Sequence, residues 1–151
     1  MRDYTKLRAF ELADEVAMLV YRTTAGFPKE ELFGLTSQLR RAAVSVPSNI
    51  VEGCARDSEA DYLRFLNIAF GSLRELHYQV HLSKRVGFLP NEDSSLLEPK
   101  VVETEKVLNG LIRALRDNFK SFASANFATP AEGADSSIES STCGQMGITL
   151  T

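Results

Sequence analysis

Two apolar stripes at helical spacing, separated only by a short polar break, occupy the stretch from Leu35 to Arg85. In the first, Leu35, Leu39, Ala43, Val46 and Ile50 recur every three or four residues, so they share one helical face that must be buried. In the second, Tyr62, Leu66, Ala69, Leu73, Leu76 and Val80 alternate steps of four and three, which is a heptad seam. Gly53 and the polar residues before Ser58 leave no length for a crossover. The two helices therefore run antiparallel, as in an all-α, up-and-down antiparallel four-helix bundle.

Two further helices complete the pattern. Helix 1 is expected from about Thr5 to Thr24, stopped by Gly26 and Pro28, and the connection to Gly34, with Phe27, Leu32 and Phe33, is expected to fold back onto the bundle end. Helix 2 runs from Thr36 to Glu52 and carries Pro47, whose ring predicts a kink or local break. Helix 3 starts at Ser58, spaced from Asp61 like a capping box, and ends near Arg85. Helix 4 begins around Asn91, is interrupted by Pro99, and continues to about Lys120 along Val101, Thr104, Leu108, Leu111, Leu115, Phe119 and Phe122. The domain is thus residues 1–122. Residues 123–151, rich in Ser, Thr and Ala, are too poor in apolar surface to offset their ordering entropy and are expected to be a disordered tail.

A chain of 151 residues with 44% hydrophobic content suffices for one core. No apolar run reaches the roughly twenty residues of a membrane span, and the N-terminus lacks the apolar core of a signal peptide. Cys54 and Cys143 fit neither a disulfide framework nor a paired-ligand zinc site. The expectation is a soluble, cytoplasmic protein with no membrane contact. All 17 Lys and Arg fall within residues 1–120, where the acids balance them, while Glu132, Asp135 and Glu139 leave the tail acidic. A neutral body predicts no general affinity for nucleic acid, so any polyanion site must come from local clustering or from several subunits together.

Helix 3 is apolar round most of its circumference. Beyond its seam it carries Phe65, Ile68 and Leu82, which are assigned to an interface between copies of the chain. The cations Arg40, Arg41, Arg56, Lys84 and Arg85 are the candidates for nucleic-acid contact, repeated by symmetry; singly they read as solvated helix-end charges. On helix 2, Ser37, Arg41, Ser45, Ser48 and Glu52 form a polar stripe open to two readings: a surface with Arg41 donating to phosphates, or hydrogen bonds and ion pairs to neighbouring helices. Ser48, Asn49, Glu52 and Glu75 are assigned to a structural polar network that fixes helix register. His77 and His81 are spaced as i and i+4 but lack a third ligand in register. No nucleophile–base pair or phosphate loop accompanies Glu75. The expectation is a protein with no catalytic residue, metal or cofactor.

The run Gly34-Leu35-Thr36-Ser37-Gln38-Leu39-Arg40-Arg41-Ala42-Ala43, then Val46-Pro47-Ser48-Asn49-Ile50-Val51-Glu52-Gly53, then Leu66-Asn67-Ile68-Ala69-Phe70-Gly71-Ser72-Leu73-Arg74-Glu75-Leu76, closely resembles the 23S rRNA intervening-sequence protein family. The resemblance covers about residues 1–120. It implies a four-helix subunit assembled as a ring-like homopentamer around a central channel. It also implies kinship with the accessory variability determinants of diversity-generating retroelements, and through them RNA, DNA or a reverse transcriptase as partner. The expected function is a non-enzymatic oligomeric accessory protein. The alternatives are a protein-binding scaffold with no nucleic-acid role, or a metal-binding bundle.

Overall fold

The computed structural model describes residues 1–127, and among them four α-helices and no strand. They are α1 (Arg8–Thr24), α2 (Leu35–Cys54), α3 (Glu59–Arg85) and α4 (Asn91–Phe127), with 3-10 turns at Tyr4–Lys6 and Lys29–Glu31. α1 packs on α2 and α4, and α3 packs on the same two, so α1 and α3 stand on a diagonal of a four-helix square. The seams read from the sequence line the core: Val20, Leu39, Ile50, Leu66, Leu73 and Leu108 are completely buried. Small residues allow the helices to approach closely; Ala42, Ala43 and Ala69 are also fully covered.

The helix ends have local causes. The Ser58 hydroxyl accepts from the Asp61 N–H at 3.0 Å and caps α3, as the spacing predicts. At the other end Gly87 takes φ 85°, a left-handed conformation suited to glycine. There the N–H groups of Gly87 and Phe88 donate to the carbonyls of Lys84 and Ser83, closing α3 with a Schellman motif. A Cβ built on Gly53 would stand 2.9 Å from Phe65 Cβ, so only glycine lets the end of α2 meet the first turns of α3.

Several expectations are corrected. α1 begins at Arg8; the residues before it form a 3-10 turn whose Thr5 N–H and hydroxyl both donate to Asp3. Of the two outcomes expected at Pro47, the local break does not occur: α2 is continuous through it, because the ring is buried in the packed part of the helix and the turns on both sides are anchored by Val46 and Ile50. α4 likewise continues through Pro99, held by Leu97 and Val101 on either side. Burying two such side chains contributes about 3–6 kcal/mol, enough to offset the roughly 3 kcal/mol a helix loses to an internal proline. Phe65, assigned to an intersubunit face, is buried within the subunit, its ring covered by the guanidinium groups of Arg56 and Arg64 at 4.7 and 4.9 Å. Helix 4 extends to Phe127, so residues 123–127 belong to it, and the rest of the expected tail, 128–151, lies outside the described residues. Of the connection between α1 and α2, Phe27 folds back against Phe88 as expected, whereas Phe33 is 92% exposed.

At about 1.5 Å per residue α4 spans about 55 Å against about 40 Å for α3. Every side chain from Arg116 to Ala125 is exposed. Among the described residues no helix is long and apolar enough to cross a membrane.

Candidate interaction surface

Two members of the polar stripe of α2, Arg41 and Ser45, face α3 and are paired there. Arg41 donates to Glu75 at 2.6 Å and to Gln38 at 3.0 Å, and Gln79 adds a bond to the same Glu75 oxygen. The hydroxyls of Ser45 and Ser72 meet at 2.9 Å across the two helices, and Asn49 donates to the Ser45 carbonyl one turn back. Interhelix pairing is thus the reading of Arg41 that the geometry supports. The four residues assigned to one polar network are divided: Asn49 bonds within α2, Glu75 joins α2 to α3, Glu52 pairs with Arg56, and Ser48 is exposed.

Similar clasps tie α4 to its neighbours. Glu105, whose side chain is only 12% exposed, accepts from Arg74 at 3.1 Å and bonds His77 Nδ1 at 2.9 Å. Lys100 on α4 donates to Glu15 on α1 at 2.7 Å. That hydrogen bond holds the Glu15 carboxyl below its ordinary range and the Lys100 ammonium above its own. Near the end of α2 the buried Cys54 thiol is pushed up by desolvation, and desolvation likewise carries the Tyr62 phenol to about 12. Neither group is prepared for nucleophilic chemistry at neutral pH. Among the described residues no three His, Cys, Asp or Glu side chains are grouped to hold a metal ion.

The five candidate cations do not converge. Arg56 lies at the opposite end of the bundle from the others and pairs with Glu52. Lys84 pairs with Glu98 at 3.2 Å, and Arg41 is held as above. Arg40 donates to the Thr24 hydroxyl at 2.9 Å and lies 4.8 Å over the Tyr21 ring, with no carboxylate partner among the described residues. Among the described residues Arg85 also has no ion-pair partner. It stands at the same end as Arg40, where the Phe27 and Phe88 rings bring the two interhelix connections together.

Part of the apolar surface left open lies beside α2. Along the outside of α1 and α2 runs a groove of about 590 Å³ whose walls include Met18, Tyr21, Val44, Pro47 and Val51. Met18 is 53% exposed and Val44 41%. On the other side of α2, the outer face of α3 presents Ile68 at 43% and Tyr78 at 64%, with the exposed Gly71 between them; Leu82 is half-buried. A Cβ built on Gly71 meets nothing within 4 Å, so no contact inside the subunit requires a glycine there. The groove was missed in the sequence because Val44 and Val51 stand off the buried seam. Their spacing of seven on a face otherwise read as polar was the available signal.

The sequence model of the family described as 23S rRNA-intervening sequence protein matches residues 5–110. Among solved structures, a crystal structure from Bacteroides thetaiotaomicron VPI-5482, described as a protein with unknown function from S23 ribosomal protein family, superposes with a TM-score of 0.64 at 24% identity. The superposition covers 70% of this chain and 95% of that one, a likeness of fold. No curated protein matches.

Proposed function

We propose that this chain, which belongs to the 23S rRNA-intervening sequence protein family, is a non-enzymatic self-associating bundle that acts as an accessory or scaffold protein. The reading rests on the unfilled groove of Met18, Val44 and Val51, with the Ile68–Gly71–Tyr78 face on the other side of α2. Two different apolar patches on one subunit suit a heterologous contact, the kind that closes into a ring when its rotation allows. Five copies around a channel is the number the family resemblance implies. Sedimentation velocity at micromolar concentration tests it. The wild type is expected to sediment as one closed species and Val44→Glu as a monomer with unchanged far-UV circular dichroism. A wild type that is monomeric at that concentration refutes the reading.

A second reading, nucleic acid or a reverse transcriptase as partner, is supported by Arg40 and Arg85, two cations at one bundle end that have no carboxylate partner among the described residues. Repeated around a ring, they would give an affinity for RNA or DNA that falls steeply with salt. Binding that is absent at low salt, or unchanged as salt rises, removes this reading and leaves the scaffold.

A further inference from the structure

At the start of α2 a cleft of about 440 Å³ gathers hydrogen-bond donors beside two aromatic rings. Gly34 provides no side-chain cap there. Glu31 accepts from the Leu35 N–H at 2.9 Å, and the Gln38 N–H reaches the Gly34 carbonyl. Among the described residues the N–H groups of Thr36 and Ser37 find no acceptor. Thr36, which lines the cleft, is 3% exposed, and its hydroxyl is buried without a hydrogen-bond partner. The Ser37 side chain is exposed on the same wall. Arg40 adds a guanidinium that pairs with no carboxylate among the described residues, fixed in place by Thr24 and the Tyr21 ring. Arg41, also on the cleft, is already committed to Glu75. Glu31 accepts from Leu35 and keeps its negative charge at this helix start, so an anion is favoured only on the Ser37 and Arg40 side of the cleft.

These groups, donors together with the positive end of a helix dipole, favour an anion. The aromatic walls favour something flat. Phe33 leaves 92% of its surface in water, although a phenyl ring gains from being covered, and Tyr21 is 47% exposed beside it. From this convergence we propose that the cleft binds a phosphate-bearing aromatic ligand, a nucleotide, either free or at the end of a strand. Its phosphate is held by the Ser37 hydroxyl, the free N–H groups of Thr36 and Ser37, and Arg40, and its base stacks on Phe33. The site adjoins the self-association groove, with which it shares Tyr21, and it rests on the nucleic-acid reading only where the phosphate belongs to a strand.

Calorimetric titration of the full-length protein with AMP, adenosine and inorganic phosphate tests it. AMP is expected to bind at least about tenfold more tightly than either fragment, because both halves of the cleft are engaged. Phe33→Ala is expected to weaken AMP about tenfold and leave phosphate unchanged, the loss of one stacked base. That side chain is too exposed for its removal to unfold the chain. Arg40→Gln is expected to weaken AMP and phosphate alike, with circular dichroism to verify its fold. A 5′-phosphorylated single strand that competes better than AMP assigns the phosphate to a strand end, and one that competes no better assigns it to a free nucleotide; both outcomes support the site. It is overturned if AMP does not bind at millimolar concentration, if AMP binding ignores both variants, or if Phe33→Ala abolishes self-association without affecting any ligand. RNA binding with steep salt dependence but no AMP binding overturns the site while sparing the nucleic-acid reading. AMP binding without RNA binding does the reverse.

Discussion

Gly71 offers a test in which the subunit and the assembly respond with opposite signs. The residue lies inside the 27-residue α3, where glycine costs about 1 kcal/mol relative to alanine. Glycine in that position normally makes room for a neighbour, yet a Cβ built on it has nothing within 4 Å inside the subunit. Gly71→Ala therefore gains its helix propensity without strain. Spread over about 120 residues at about 2.1 cal/mol/K each, about 1 kcal/mol corresponds to a rise of about 4 °C in Tm. If another copy's backbone packs against this face, the added methyl group weakens the contact, and overpacking of this kind costs about 1–3 kcal/mol. That is a loss of about five- to more than a hundredfold in association. Thermal unfolding at a dilution where wild type is monomeric, paired with sedimentation at micromolar concentration, reads the two effects separately. Gly110, equally open but on α4, is the control: Gly110→Ala is expected to raise Tm alone. A Gly71→Ala protein that is more thermostable and assembles as well as wild type refutes the assignment of this face to a partner.

Gly53→Ala is expected to lower stability by about 1–2 kcal/mol, since the new methyl group would press on Phe65 and Tyr62 at 2.9 and 3.2 Å and that strain exceeds the gain in helix propensity; the urea midpoint measures it. Glu105→Ala removes the shared acceptor of Arg74 and His77 and is expected to cost about 1–2 kcal/mol in the same assay, discounted because Arg74 is 60% exposed. The depressed Glu15 carboxyl contributes stability that is present above its ordinary value of 4.5 and lost as pH falls through its folded value. The raised Lys100 contribution is present below 10.5 and lost as pH rises through its folded value. Lys100→Met is therefore expected to flatten the stability profile at both edges, as read by urea unfolding across pH; a profile identical to wild type would show that the pair contributes nothing.

Chain connectivity and apolar period were enough to specify four antiparallel helices, because burial of a face acts through residue spacing that the sequence displays directly. The cap at Ser58 and the stop at Gly87 were legible for the same reason: each is a local hydrogen-bond or dihedral requirement. Continuity through Pro47 and Pro99 was not legible, since it depends on how firmly neighbouring turns are held by other helices. Nor was the partition of helix 3's excess apolar surface. Phe65 is covered by two arginines of its own subunit, while Ile68 remains open, and no periodicity separates the two positions. The candidate sites follow this pattern. Arg40 and Arg41 are neighbours in sequence, but only the folded chain gives Glu75 to one and leaves the other with no carboxylate partner among the described residues, beside Phe33 and the unpartnered donors of α2. Local sequence fixes which faces must be covered; packing between distant segments decides which side chains do the covering and which charges remain unspent.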